Sequence, residues 1–133
     1  MQFNGFALTD TFTVASTPAV KTFALGYQPS AVKMAVISGT NKGAELYWND
    51  KMPAGSALLR AAAGTATVPL SNGITAVADI AVTDGEQLND NLITLAASIT
   101  PVQYQKGFSL GVLTGFADTA GDVIVVESFR AAK

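Results

Sequence analysis

The sequence predicts an all-β protein, and two observations carry that prediction. Short runs rich in β-branched and aromatic residues recur along the chain, and Gly, Pro, Asn and Asp separate them. Helical periodicity is scarce. This pattern is typical of antiparallel sandwiches and closed barrels, and we expect the sandwich. The 133 residues suit one domain with one core. We expect residues 1–18 to form an N-terminal arm or edge strand and residues 19–133 to form a single sandwich domain.

The clearest pair of strands lies between residues 32 and 48. Val32, Met34 and Val36 share one face because side chains on a strand repeat every two residues. The segment 38–43 is rich in Gly and Asn, which tolerate positive φ, and the extended pattern resumes at 44–48. We therefore expect a β-hairpin here.

A short helix is the main exception to the β pattern. Ser56 is a candidate N-cap, the residues to 63 are good helix formers, and Gly64 suits a C-terminal cap. A helix this short is marginal without tertiary support, so an extended segment is the alternative. The sequence thus predicts at most one short helix, near residues 56–63.

The second half of the chain adds further extended segments. Asn72-Gly73 accepts the left-handed conformations of a compact turn. The last segment is apolar on both faces near its start, which predicts a central strand. The candidate strands are 65–70, 74–77, 80–83, 92–99, 108–113 and 122–130.

The N-terminal segment is unusually apolar for a chain end. Phe3, Phe6, Leu8 and Phe12 stand among small polar residues, and each buried Phe is worth roughly 2 kcal/mol. Either the chain's own sheet or a neighbouring subunit should cover them. We take these four residues as candidate interface residues.

Composition indicates an oligomer. Hydrophobic residues make up 49% and charged residues 14%, against about 25% charged in an ordinary soluble domain. A surface so poor in charge is expected to be partly covered by other subunits, although Ala, Thr, Ser and Gly can also form a weakly polar surface. The net charge of −2 argues against direct nucleic-acid binding. No signal peptide and no apolar run of about 20 residues is present, so we expect a soluble protein made in the cytoplasm, with no membrane contact.

The sequence offers little for catalysis. The absence of His and Cys excludes Ser-His-Asp triads, imidazole and thiolate metal sites, and cysteine nucleophiles. There is no phosphate-binding loop. We therefore predict no enzymatic activity, no catalytic or metal-binding residue and no cofactor. Paired carboxylates and the acidic segment 79–91 are better explained as solvated loops than as a glycosidase or Ca²⁺ site. Trp48 is a core residue, a sugar-stacking residue or an interface anchor.

Three blocks resemble small phage virion structural proteins of the capsid decoration (cement) or head-fibre type. They are 23–32 (FALGYQPSAV), 47–52 (YWNDKM), and 71–75 (SNGIT) followed by 107–111 and 121–123. The long stretch 76–106 departs from the pattern.

The resemblance implies a jelly-roll-like sandwich, commonly a homotrimer, that sits on the capsid surface of the virion. Its partners would be copies of itself and the major capsid protein, and it would reinforce the head against packaged DNA through contact area. The alternatives are a tail or head-tail component, and a carbohydrate-binding module using Trp48 and Tyr47.

Overall fold

A computed structural model of the chain describes residues 7–82 and 103–130. All regular secondary structure in these ranges is β, and they contain no helix able to cross a membrane. The strands are β1 (Ala7–Thr13), β2 (Lys21–Ala24), β3 (Ala31–Ser38), β4 (Glu45–Asn49), β5 (Leu58–Arg60), β6 (Ala66–Thr67), β7 (Ile74–Val82), β8 (Gln103–Leu110) and β9 (Val123–Phe129).

The strands form two antiparallel sheets. One has six strands in the order β1-β9-β3-β4-β5-β6, and the other has three in the order β2-β8-β7. The main hydrophobic core draws buried side chains from both sheets, such as Val32 and Ile124 from the first and Phe23 and Phe108 from the second. The prediction of an all-β, antiparallel sandwich is confirmed.

The predicted hairpin is formed by β3 and β4. Val32, Met34 and Val36 all point into the core, as the alternation predicts. Gly43, at φ 98°, donates its N–H to the carbonyl oxygen of Val36 at 2.9 Å, and Val36 donates to Ala44 at 2.9 Å. Two residues of one strand therefore oppose one of the other, which is a β-bulge with glycine in the left-handed position.

The predicted central strand is β9, which lies between β1 and β3. Its residues Ile124, Val126 and Ser128 are buried against the core, and the residues between them are half-buried on the other side of the sheet. Central position is thus confirmed, with one face in the core and one on the outside.

Aromatic packing joins β2 to β8. The rings of Phe23 and Phe108 stack with centroids 4.7 Å apart, and Phe12 meets Phe23 edge-on at 5.4 Å. Gly107 pairs with Ala24, and a Cβ atom at position 107 would collide with the carbonyl oxygen of Phe23. Glycine at this position lets the two strands approach.

The segment 56–63 is extended and turn-like, so the extended alternative to the helix is correct. The Ser56 hydroxyl donates to the Pro53 carbonyl at 2.6 Å, and its backbone forms a bridge to Ile74. Residues 58–60 then pair with β4 as β5. These contacts satisfy backbone groups that a two-turn helix would leave partly unpaired.

Asn72 has a positive φ of 64°, as the predicted compact turn requires, and because β6 and β7 belong to different sheets, this turn carries the chain from one sheet to the other. One other local prediction needs revision. The predicted strands 74–77 and 80–83 form one strand, β7, with a register shift between Val77 and Ile80. The predicted strand 92–99 lies outside the described residues.

Candidate interaction surface

The side of the six-stranded sheet that faces away from the core is unusually apolar. Antiparallel sheets with one solvated face normally alternate apolar inward and polar outward residues. On each of the neighbouring strands β3 and β9, three of the four outward residues are apolar, and Ile37 is 51% exposed. These outward residues are Ala31, Lys33, Ala35 and Ile37 on β3, and Val123, Val125, Glu127 and Phe129 on β9. We call this side of the sheet the outer face.

Strand register arranges the outer face into two rows of direct neighbours. Pairing between adjacent strands brings residues from four or more strands into line along each row. The first row runs Thr9, Glu127, Lys33, Tyr47, Leu58, and the second runs Thr11, Val125, Ala35, Glu45, Arg60, Ala66.

A groove of about 420 Å³ runs along these rows. Small side chains, Ala35 and Ala66 among them, contribute to its lining beside the larger Tyr47 and Leu58. The lining also carries two acids and two bases: Lys33, Glu45, Arg60 and Glu127. A concave apolar strip bordered by charges of both signs is the chemistry of a protein contact surface.

The four charged side chains of the groove make only one ion pair with one another, and that pair is weak. Arg60 and Glu45 approach to 3.7 Å, but their side chains are 63% and 58% exposed, so the pair contributes only about 0–1 kcal/mol to stability. Lys33 and Glu127 are direct cross-strand neighbours yet form no ion pair in the described part of the chain. All four are therefore accessible to a partner.

The six-stranded sheet ends at the edge strands β1 and β6. Val14 donates its N–H to the carbonyl oxygen of Asp122, the residue before β9. Thr11 lies an odd number of residues from Val14 and therefore directs its N–H toward the open side of β1. That N–H donates to Oδ1 of Asp10 at 2.8 Å. At the opposite end of the sheet, β6 has only two residues. Within the described residues, β6 leaves almost no edge to extend, whereas the seven-residue β1 keeps an open side on which Asp10 occupies the N–H of Thr11.

A buried polar cluster joins the turn before β4 to the loop before β9. Asp122 is 1% exposed; its Oδ1 accepts the N–H of Thr40 at 2.8 Å, and its Oδ2 accepts the side-chain amide of Asn41 at 2.9 Å. The same amide reaches Thr119 at 3.0 Å. A Cβ atom at Gly39 would collide with the Asp122 carboxylate, and Gly39 also has φ 112°. The cluster therefore acts as a clamp between two loops.

Asp118 completes this cluster by accepting the N–H of Gly115 at 2.9 Å. No group of three or more His, Cys, Asp or Glu residues is placed to hold a metal ion within residues 7–82 and 103–130. Most of the acidic segment 79–91 lies outside the described residues.

Tyr27 fastens the loop after β2 to the end of β9. Its hydroxyl lies 3.1 Å from the Ser128 hydroxyl, and the Arg130 guanidinium lies 5.6 Å from its ring centroid. Burial raises the pKa of Tyr27 above its ordinary value of 10.0, and the Ser128 hydrogen bond and the Arg130 charge partly oppose this.

The four candidate interface residues fall into two groups. Phe3 and Phe6 lie outside the described residues. Leu8 is 6% exposed, and Phe12 packs on Phe23, so both side chains contact the chain's own core. The packing of Leu8 leaves it little surface for a second subunit.

Trp48 is a core residue, the first of the three interpretations. It is 3% exposed, and its indole N–H donates to the Pro53 carbonyl at 3.4 Å. The Met52 sulfur accepts the N–H of Asn49 at 3.4 Å, which folds the loop back beneath the ring. The indole therefore presents no open face on which a sugar ring can stack, whereas Tyr47 lies on the outer face.

The outer face itself is the site that sequence reasoning missed. Its signal was present: the segment 122–130 is apolar on both faces, which predicted a central strand and was equally a sign of an apolar outside surface. No family model, curated protein or solved structure matches the chain.

Proposed function

We propose that the chain is a non-enzymatic structural subunit of a phage virion, a capsid decoration (cement) protein that stabilises the head. It acts by packing against copies of itself and against the major capsid protein on the capsid surface. The observation that supports this function best is the apolar outer face, which is bordered by four charges whose only ion pair in the described residues, Arg60 with Glu45, is largely exposed. No cofactor, nucleic acid or membrane takes part.

Contact area is the physical basis of the proposal. Each 100 Å² of apolar surface removed from water contributes about 2.5 kcal/mol. A single contact of modest area binds weakly because association costs translational and rotational freedom. On a lattice, however, many copies bind at once, and the effective concentration of neighbouring sites makes the whole layer hard to remove.

Two other observations support the proposal. The lack of His and Cys removes the commonest catalytic groups. The resemblance of blocks 23–32, 47–52 and 71–75 to phage decoration proteins supports the place in the virion. The homotrimer that this resemblance implies stays a prediction, and sedimentation velocity distinguishes it from a two-fold dimer.

Co-sedimentation with expanded capsids tests the proposed function. The capsids are assembled from the major capsid protein encoded in the same genome, and the chain is added in increasing amounts. Wild type should pellet with the capsids and saturate. Val125→Lys, which places a charge in the middle of the outer face, should stay in the supernatant. Val20→Lys is the matched control, because Val20 is exposed but lies outside the six-stranded sheet.

Circular dichroism confirms that both variants keep the β fold before binding is compared. A wild type that never pellets with capsids would contradict a decoration role. If it instead pellets with purified tails, the chain is a tail component. Equal binding by Val125→Lys and wild type would show that capsid binding does not depend on the outer face.

A further inference from the structure

We infer that the outer face is a two-fold contact surface on which a second copy of this chain packs, sheet against sheet. This deepens the proposed function and rests on it for biological meaning, since it names one self-contact of the subunit. The four groove charges identify the partner as a second copy of the chain. When that copy is turned so that its strand order is reversed, each acid of one copy faces a base of the other.

The order of charges across the central strands carries the inference. In strand order the groove has an acid on β9, a base on β3, an acid on β4 and a base on β5. These are Glu127, Lys33, Glu45 and Arg60. Reading the order from the other end exchanges every acid for a base. A face with this property attracts a second copy that lies on it with the strand order reversed.

A two-fold axis roughly parallel to the strands, between β3 and β4, produces that arrangement. It lays β9 over β5 of the second copy, and β3 over β4 of the second copy. Glu127 then faces the region of Arg60 of the second copy, and Lys33 faces the region of Glu45 of the second copy. Because a two-fold contact repeats each interaction, each ion pair forms twice.

The remaining offset between the paired charges is small. Glu127 and Lys33 lie in the first row, while Arg60 and Glu45 lie in the second, so the partners differ by one row. One row is two residues, about 6.8 Å along a strand. Stacked sheets cross at about 30° because of their twist, and this crossing brings Glu127 closer to Arg60 of the second copy. The long Lys and Arg side chains span the rest.

The centre of the contact is suited to close packing. Ala35 lies next to the axis, beside Val125, so two sheets can approach there to the usual spacing of about 10 Å. Tyr47 and Leu58 supply the larger apolar surface on the β4 and β5 side of the axis, and the two-fold repeats it on the other side.

The area is that of a modest interface. Six strands span about 24 Å and the five residues of β4 about 17 Å, a flat footprint of about 400 Å² on each copy. The accessible area of a face covered with side chains exceeds its footprint, so the total approaches the lower end of specific interfaces, about 1,200 Å². We therefore expect a dimer that dissociates on dilution.

Sedimentation velocity over a series from micromolar to millimolar protein tests the inference. Wild type should shift from monomer to dimer without passing to a trimer. Arg60→Glu and Glu127→Arg should each weaken dimerisation by about tenfold, since one substitution breaks two symmetry-related ion pairs. The double variant Arg60→Glu/Glu127→Arg should recover most of the wild-type affinity. Lys42→Glu is the control, a reversal at an exposed turn residue outside the outer face.

A cysteine cross-link provides a second measurement that does not depend on the charge variants. The chain has no cysteine. Ala35→Cys, next to the axis, should be joined into a covalent dimer by a short bis-maleimide, because sheets about 10 Å apart hold the two cysteines too far apart for a direct disulfide, while Ala63→Cys on an exposed turn should not be joined. Equal cross-linking at both positions would contradict the two-fold contact.

The outcomes separate this inference from the proposed function. A wild type that is monomeric at millimolar concentration, or that forms trimers, overturns the two-fold contact. So do charge reversals that leave dimerisation unchanged. If such a protein still binds capsids, the proposed function stands and only this contact is lost. A dimer that never binds capsids supports the contact and removes the decoration role.

Discussion

Asp122 allows a direct test of the hydrogen bonds that join the loop before β9 to the turn before β4. Replacing it with alanine removes the acceptor for the N–H of Thr40 at 2.8 Å and for the Asn41 amide at 2.9 Å. Hydrogen bonds to a charged group contribute about 1.5–3 kcal/mol each. Part of the sum is offset because the buried carboxylate no longer has to be desolvated. We expect a net loss of about 3 kcal/mol in the free energy of unfolding.

Asp122→Asn separates the two hydrogen bonds. Its side-chain oxygen can still accept from Thr40, but its NH₂ group would face the NH₂ group of Asn41. One bond is kept and one is lost, so the expected cost is about half, roughly 1.5 kcal/mol. Asp50→Ala is the control, because Asp50 is exposed; its effect should stay within about 0.5 kcal/mol.

Urea unfolding, followed by the fluorescence of the single tryptophan, measures these differences. All variants are compared at a protein concentration where wild type is monomeric, since association adds to apparent stability. With a slope of about 1.5 kcal/mol per M, Asp122→Ala should lower the midpoint by about 2 M. The reasoning is refuted if Asp122→Ala costs no more than Asp50→Ala, or if Asp122→Asn costs more than Asp122→Ala.

Three further predictions concern the core and one loop. Gly107→Ala should lower the melting temperature strongly, because the new Cβ meets the Phe23 carbonyl; a melting temperature equal to that of wild type would contradict the close approach. Phe108→Ala should cost about 3–5 kcal/mol in urea unfolding, since its ring is buried and stacked. Tyr27→Phe should cost about 1 kcal/mol near pH 8 through the lost Ser128 contact. In the folded wild type the pKa of Tyr27 is raised, so above about pH 10 the folded state keeps a phenolic proton that the unfolded state has lost. Wild type therefore loses stability as the pH rises above about 10. The wild-type advantage over Tyr27→Phe should therefore shrink between about pH 10 and the folded pKa, and an advantage that grows there would refute the assignment.

Local pattern predicted the fold well where one strand face is buried. Val32, Met34 and Val36 occupy the core face of β3 because a shift by one residue would turn all three to the outside. Pattern predicted less where partners far along the chain decide the conformation. Ser56 has the chemistry of a helix cap, yet its hydroxyl bonds Pro53 and its backbone pairs with Ile74. Such non-local partners cannot be identified from a helix signal.

The arrangement of the outer face could not be predicted from the sequence for the same reason: it is formed by residues that are far apart in the chain. Alternation identifies Ala35 and Val125 as sharing a sheet side, but only strand order makes them neighbours. The acid and base pattern depends on β9 lying beside β3, although the two strands are about 90 residues apart in the chain. A single sequence does not specify which distant strands pair, so it does not show that the four charges of the groove lie side by side.

The termination of the six-stranded sheet has a consequence for protein made in many copies. An open strand edge can template the next chain, and head-to-tail addition that does not close grows into fibres. Asp10 occupies the N–H of Thr11 at one end of the sheet, and the two-residue β6 ends the other. Head-to-tail growth of the six-stranded sheet would have to pair the seven-residue β1 of one copy with the two-residue β6 of the next, so within the described residues this mode of polymerisation is disfavoured.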